Sequence, residues 1–403
     1  MRYPPSARVA RVGGPIEVDD AAGGDALEFP SPGRYVVATR PPRERAASWP
    51  RRGAAAWGAA RPVPRSPGLR RPVPLPYPAD HVCIVLLSGL GDVVHGLPLA
   101  NALKDDDPAR RITWVVEPMA APLLAGHPSI DRVVVYRKKE GLRGIRRLAR
   151  ELGEGGRIDL ALNLNVYTKS VWPTLLSRAR HRLGFDRGRA FEGVWLASNH
   201  HLAPRPRAHT ADLFLEFAEH LGIAVDRPEW RIPLTDEERR AQAEFFAPFA
   251  DCPVATIVPA SANAKKDWPA ERWARVADAL AHDFGFRVVL AGGPGEREQR
   301  IARDIVAAAS TKPVWALGDS IRRLAWIVAG SSLVLAPDTG PVHIARAFEV
   351  PVIGLYGHTN PWRVGPYRRY QELWVDAYTD AGEAPDPSRF DPKLCKLLLD
   401  KST

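Results

Sequence analysis

Short apolar runs alternate with helix-patterned stretches twice over, and this repetition constrains the fold more than any other feature of the chain. HVCIVLL (81–87), ITWVVE (112–117), RVVVY (132–136) and IDLALNL (158–164) are apolar, β-branched-rich runs, the pattern of buried parallel strands. A second set stands at VATIVPA (254–260), FRVVLAG (286–292), SLVLAPD (332–338) and PVIGLYG (351–357). Helical patterning fills the gaps, through Leu97, Ala100 and Leu103, over the basic stretch 142–152, and over 208–222, where Leu213, Phe217 and Leu221 share one face. In the second set the helices open near Pro269, Pro294, Ser320 and Pro341, and proline suits a first helical turn. TDEERRAQAEFFAPFAD (235–251) predicts a helix followed by a hinge. Alternation on both sides of residue 245 predicts an α/β protein with two doubly wound, Rossmann-like domains, over 79–245 and 246–376.

The flanks read differently. The first 80 residues contain thirteen arginines, no lysine, seven acids and 15 of the 39 prolines. Proline at that density removes backbone donors and blocks regular structure. Residues 1–78 therefore read as a disordered Arg/Pro-rich extension, or as a basic arm for phosphate or membrane, and 377–403 as a C-terminal tail. The net charge of +10 invites an acidic partner such as nucleic acid, phosphorylated lipid or nucleotide. More than half of it lies on the extension, so it argues less for nucleic acid than its sum suggests. Cys83, Cys252 and Cys395 are far apart and form neither a disulfide framework nor a zinc site. No apolar run approaches the roughly 18 residues of a membrane span, and no signal-peptide core opens the chain. The expectation is a cytoplasmic protein.

Chemistry in such a fold belongs to loops at the carboxyl ends of strands. In SGLGDVVHGLP (88–98), two glycines allow a tight turn, and Asp92 is either an N-cap or a carboxylate aimed into the cleft as a general base. The spacing GxGxxxxG supports a dinucleotide site poorly. In PASANAKKDWPAERW (259–273), Lys265 and Lys266 are either solvated surface lysines or point charges for a phosphate. AGGPGERE (291–298) is a Gly-rich turn between a strand and a helix, weak as a phosphate or base contact. In APDTGPVHIARA (336–347), a strand ends at Asp338, Thr339 and Gly340 turn, and Pro341 opens a helix carrying His343. Unpaired N–H groups at that terminus make a diphosphate site, whereas His343 taken alone could be a packed or capping group. GHTNP (357–361) is a second polar loop at the same sheet edge. The chain has no metal-ligand spacing, no acidic dyad, no nucleophile elbow and no Walker loop.

Taken together, GDVVHGLPLANALK with WVVE behind it, NLNVYTKS, AKKDWP and DTGPVHIARAFEVPVIGLYGHTNP resemble glycosyltransferase family nine, the ADP-heptose:lipopolysaccharide heptosyltransferases, over about residues 80–370. The resemblance implies the GT-B architecture, with an acceptor domain first and a nucleotide-sugar domain second, and inverting transfer with no cofactor and no metal. It implies that Asp92 is the general base, that Lys266 contacts donor phosphate, that Asp338, Thr339, Gly340 and His343 bind the donor diphosphate and sugar, and that Lys169 faces a phosphorylated acceptor. The implied partners are ADP-heptose and a lipid A–Kdo type glycolipid, met at the cytoplasmic face of the inner membrane through peripheral contact. The extension and the tail have no counterpart in the family. The alternatives are a non-catalytic nucleotide-sugar binding protein and a GT-B-like sugar-nucleotide epimerase.

Overall fold

The computed structural model describes residues 77, 79–318 and 320–378; the expected extension, and the expected tail beyond residue 378, lie outside the described residues. The chain begins β1 (His81–Val85), α1 (Leu90–Asp106), β2 (Arg111–Val116), α2 (Ala121–Leu124), β3 (Arg132–Val135), α3 (Leu142–Glu154), β4 (Leu160–Asn163), α4 (Val171–Leu176), β5 (His181–Gly184), β6 (His200–His201) and α5 (Thr210–His220). It continues with α6 (Asp236–Phe246), β7 (Val254–Ile257), α7 (Ala270–His282), β8 (Arg287–Leu290), α8 (Glu296–Ala308) and β9 (Val314–Trp315). Last come α9 (Ile321–Gly330), β10 (Leu333–Pro337), α10 (Gly340–Ala347), β11 (Val352–Tyr356), α11 (Pro361–Val364) and β12 (Val375–Asp376).

The strands form two six-stranded parallel sheets, ordered β3-β2-β1-β4-β5-β6 and β9-β8-β7-β10-β11-β12. The two orders are the same doubly wound order, each reversing direction beside its first strand: β1 next to β4, and β7 next to β10. Such reversal points are where open α/β sheets leave a crevice at the strand carboxyl ends. Register is fixed by burial on both faces. Val82, Ile84 and Leu86 face the central core, while Cys83, Val85 and Leu87 face an outer one under α3. In the second sheet, Val334 and Ala336 face the central core, and Ala255, Ile257 and Leu335 face an outer core built on Trp273.

The central core is continuous between the halves. Helix α1 packs on α5 and on α10 of the second half. The buried stripe of α5 is Thr210, Ala211, Phe214, Phe217 and Ala218, continued by Leu221, with Leu213 only half-buried. The stripe is therefore rotated from the Leu213–Phe217–Leu221 row, because α5 is clasped from a second side by the segment after β11. There His209 Nε2 meets the Gly365 carbonyl at 3.0 Å, and the Thr210 hydroxyl donates to the Arg363 carbonyl at 3.1 Å. The division expected between residues 245 and 246 falls on the last turn of α6. Helix α6 runs through that position. A Thr235–Glu238 capping box starts α6, the Arg322 guanidinium pairs with Glu238, and the Gln242 amide donates to the Trp326 carbonyl at 2.5 Å. These contacts lay α6 along α9 of the second half.

Candidate active site

Asp92, Lys169, Lys266, Asp338, Thr339, Gly340 and His343 stand in or just beyond one of four loops, those after β1, β4, β7 and β10, the four strands that flank the two reversal points; the Gly-rich turn 291–298 follows β8 and the loop 357–361 follows β11.

Asp92 follows β1. Helix α1 starts one turn earlier than a capping role would need: Gly89 is the N-cap residue, and Asp92 lies in the first turn. The neighbouring Ser88 side chain favours its ionised form. Asp92 keeps some exposure at the cleft, yet burial among neighbouring atoms raises its pKa above 3.8, with Asp338 adding to the rise. Arg363, Ser88 and Lys169 oppose that rise. A carboxylate so placed is a stronger base than one in water, and two cations favour its ionised form.

Lys169 sits in the short turn Thr168–Ser170 after β4. Its ammonium donates to the Ser88 hydroxyl at 3.4 Å, which puts it beside the Asp92 loop. Burial lowers the Lys169 pKa, while Glu117 and Asp92 pull it back up. The buried Asn165 ties the same two loops together, accepting from Leu87 N–H at 3.0 Å and donating to the Val85 carbonyl at 2.9 Å.

In the second half, Lys266 closes the turn after β7. Its ammonium donates to Asp338 Oδ2 at 2.6 Å and to the Asp338 carbonyl at 3.2 Å. The Thr359 hydroxyl donates to the same carboxylate oxygen. Burial works to raise the Asp338 pKa, but Lys266, His343 and the hydrogen bonds from Lys266 and Thr359 outweigh it and hold the carboxyl below its ordinary value. Lys266 is thus oriented by Asp338, with one of its three N–H donors left over for another acceptor. Lys265 points into solvent.

Thr339 and Gly340 are half-buried at the start of α10, and no side chain caps that terminus. Its free N–H groups and dipole favour an anion. His343 lies deeper than these. It is fully buried, its Nε2 stands 4.0 Å from Asp338 Oδ1, and burial depresses its pKa to about 4. Its ring lies 4.3 Å from that of His95 on α1, centroid to centroid. His343 is therefore placed to support Asp338 and packs against α1 of the first half. The Gly-rich turn 291–295 receives the Glu298 carboxylate on the Gly293 N–H.

Sequence reasoning missed four participants: Ser88, His95, His209 and Arg363. Arg363 lies one turn beyond the His-Thr-Asn-Pro loop that it did single out, and a basic residue closing such a loop was the available signal. The histidines gave none, because their role depends on the packing of α1 against α10. Among the described residues, no three His, Cys, Asp or Glu side chains gather as metal ligands, and no helix is long and apolar enough to cross a membrane.

Comparison with known proteins agrees with this layout. Residues 145–392 match glycosyltransferase family 9 (heptosyltransferase). The chain is 32% identical over 300 residues to the lipopolysaccharide core heptosyltransferase OpsX of Haemophilus influenzae, covering 74% of this chain and 85% of that protein. It is 28% identical over 307 residues to lipopolysaccharide heptosyltransferase 1 of Escherichia coli K12, covering 72% and 92%. Its fold matches the family 9 glycosyl transferase of Veillonella parvula, with a TM-score of 0.64 and 23% identity over 80% of this chain and 97% of that one. The E. coli heptosyltransferase WaaC, solved with ADP, matches with a TM-score of 0.59 and 24% identity over the same shares, so the architecture is GT-B. These relatives favour a transferase over a binding protein or an epimerase. The chain belongs to glycosyltransferase family 9, the heptosyltransferases, and is a glycosyltransferase enzyme.

Proposed function

We propose that this enzyme transfers a heptose from ADP-heptose, with inversion, to an inner-core sugar of lipopolysaccharide or a related phosphorylated glycolipid, at the cytoplasmic face of the inner membrane. The half over 79–245 takes the acceptor and the half over 246–376 the donor. The observation that carries the reading is the environment of Asp92: a base-strengthened carboxylate within electrostatic reach of Lys169 of the first half and of Arg363 and Asp338 of the second.

In this reading Asp92 takes the proton of the acceptor hydroxyl as that oxygen attacks the anomeric carbon. The bond from that carbon to the β-phosphate oxygen breaks, and the electron pair leaves with ADP. Negative charge then grows where the α10 terminus, Thr339, Gly340 and the remaining Lys266 donor can meet it. Asp338 and His343 hold that wall in shape. Lys169 meets an anionic group of the acceptor, of the lipid A–Kdo type.

The test is ADP release from ADP-heptose with a Kdo–lipid A acceptor. Asp92→Asn should lose about a hundredfold or more in kcat while binding ADP-heptose as before. Full activity in that variant would remove Asp92 as the base, and ADP-heptose consumption without an acceptor would replace transfer by another reaction.

A further inference from the structure

One outer face of the first half carries apolar side chains that none of the described residues covers. Leu142 is 70% exposed, Leu196 77%, Trp172 52% and Leu175 41%. These belong to neighbouring elements: α3 packs beside α4, and the short turn Val194–Ala197 packs on α4. Leu142 opens α3 after β3 and the short turn Lys138–Glu140, and Trp172 is the second residue of α4, three residues after Lys169. Both helices therefore start at the sheet edge from which the Asp92 and Lys169 loops rise.

The same face is strongly cationic. Residues 137–150 hold seven Lys and Arg against the single acid Glu140. Arg137, Lys138, Arg147 and Arg150 each have a carboxylate within 4 Å, but the exposed Lys139, Arg143 and Arg146 have none among the described residues. Helix α3 buries only Gly144, Leu148 and Leu152 and leaves its arginines around the protruding Leu142.

A protein partner would ask for an apolar centre depleted of charge. Here cations and apolar tips interleave within single turns. That combination matches a bilayer surface, which offers phosphate at one depth and hydrocarbon just below it. Tryptophan is favoured at that boundary.

We infer that the face formed by α3, α4 and the Val194–Ala197 turn docks on a bilayer of anionic phospholipid. Leu142, Trp172, Leu175 and Leu196 enter the interface, and Lys139, Arg143 and Arg146 meet headgroup phosphates. The purpose of docking, presenting a membrane-borne acceptor to the cleft beside Lys169, rests on the reaction proposed above; the docking itself does not.

The experiment is co-sedimentation of the full chain with phosphatidylglycerol-containing vesicles and with pure phosphatidylcholine vesicles, without substrates. The full chain should pellet with the first and not the second, and less so as salt rises. The double variants Arg143→Glu/Arg146→Glu and Leu142→Ser/Trp172→Ser should each bind about tenfold more weakly or worse. Circular dichroism and turnover of a delipidated acceptor should stay at wild-type level. Equal binding to both vesicle types, or undiminished binding by both variants, overturns the proposal. A dimer that the Leu142→Ser/Trp172→Ser pair dissociates, with no vesicle binding, assigns the face to a second copy and overturns it too. Vesicle binding without turnover would count against the proposed reaction and leave the docking face standing; turnover without vesicle binding would do the reverse.

Discussion

Gly91 of α1 and His343 of α10 meet with no room between them: a β-carbon on Gly91 would come within 2.5 Å of the imidazole Cδ2. One helix belongs to each half, so this contact sets how closely the two first turns approach. Ala is normally the better helix former, by about 0.5–1 kcal/mol. Gly91→Ala should nevertheless destabilise the protein by about 1–3 kcal/mol through overpacking and lower kcat by shifting Asp92 relative to Asp338. Urea unfolding and steady-state kinetics check this, and a variant as stable and active as the parent would show that the seam yields freely.

The pH profile should expose Asp92. A general base works ionised, so kcat/KM should rise with pH through the Asp92 pKa, which burial lifts above 3.8. Lys169 favours the ionised form, so Lys169→Ala should move this acid limb to higher pH, while Lys169→Arg should leave it near its place. An acid limb unmoved by Lys169→Ala would break the link between the two residues.

Removing Lys266 should cost twice. Lys266→Ala leaves the Asp338 carboxylate buried without its main cation, a loss on the order of 3 kcal/mol in stability. It also removes the donor offered to phosphate, worth about 1.5–3 kcal/mol, so ADP should bind about ten- to a hundredfold more weakly. Calorimetric titration with ADP measures the second effect apart from the first. Thr359→Val should weaken both effects in the same direction but by less.

Acid should loosen the seam. His343 and His209 are buried and neutral, with pKa values depressed by burial to about 4 and about 3, against 6.5 in an unfolded chain. His95 is lowered as well, by burial first and then by the two other rings. Between these values the unfolded state binds more protons, so their stabilisation is complete above pH 6.5 and is lost progressively as pH falls toward 4. The loss attributable to His343 approaches roughly 3 kcal/mol at the acid end. Urea midpoints at about pH 7, 6 and 5, steps of roughly one unit from above the window into it, should fall in that order, and His343→Gln should flatten part of the slope.

The interior of both sheets was legible because a strand buried on two faces reads as a near-continuous apolar run, and β1, β2, β4, β7, β8 and β10 each read so. The edges were not. β5 is HRLG, β6 is HH, β9 is VW and β12 is VD, too short and too polar to show any period. Their places come from ladder bonds to neighbours that are distant in sequence. Asp92 could be located but not assigned from its loop, since a cap and an inward carboxylate look alike until Gly89 is seen to occupy the cap. His343 stood in a recognisable motif, yet its depth depends on Gly91, a residue some 250 positions away.

The four site loops hang from strands that are themselves held by parallel ladders on both sides. A loop of that kind can lengthen, shorten or change its chemistry while the strand beneath it keeps every neighbour. What the enzyme accepts and whether the chain folds are therefore written in different residues. On the proposed reading, the acceptor pair of loops can drift toward a new sugar hydroxyl while the donor pair keeps its nucleotide. Descendants of such a chain could diversify by acceptor long before they diversify by donor.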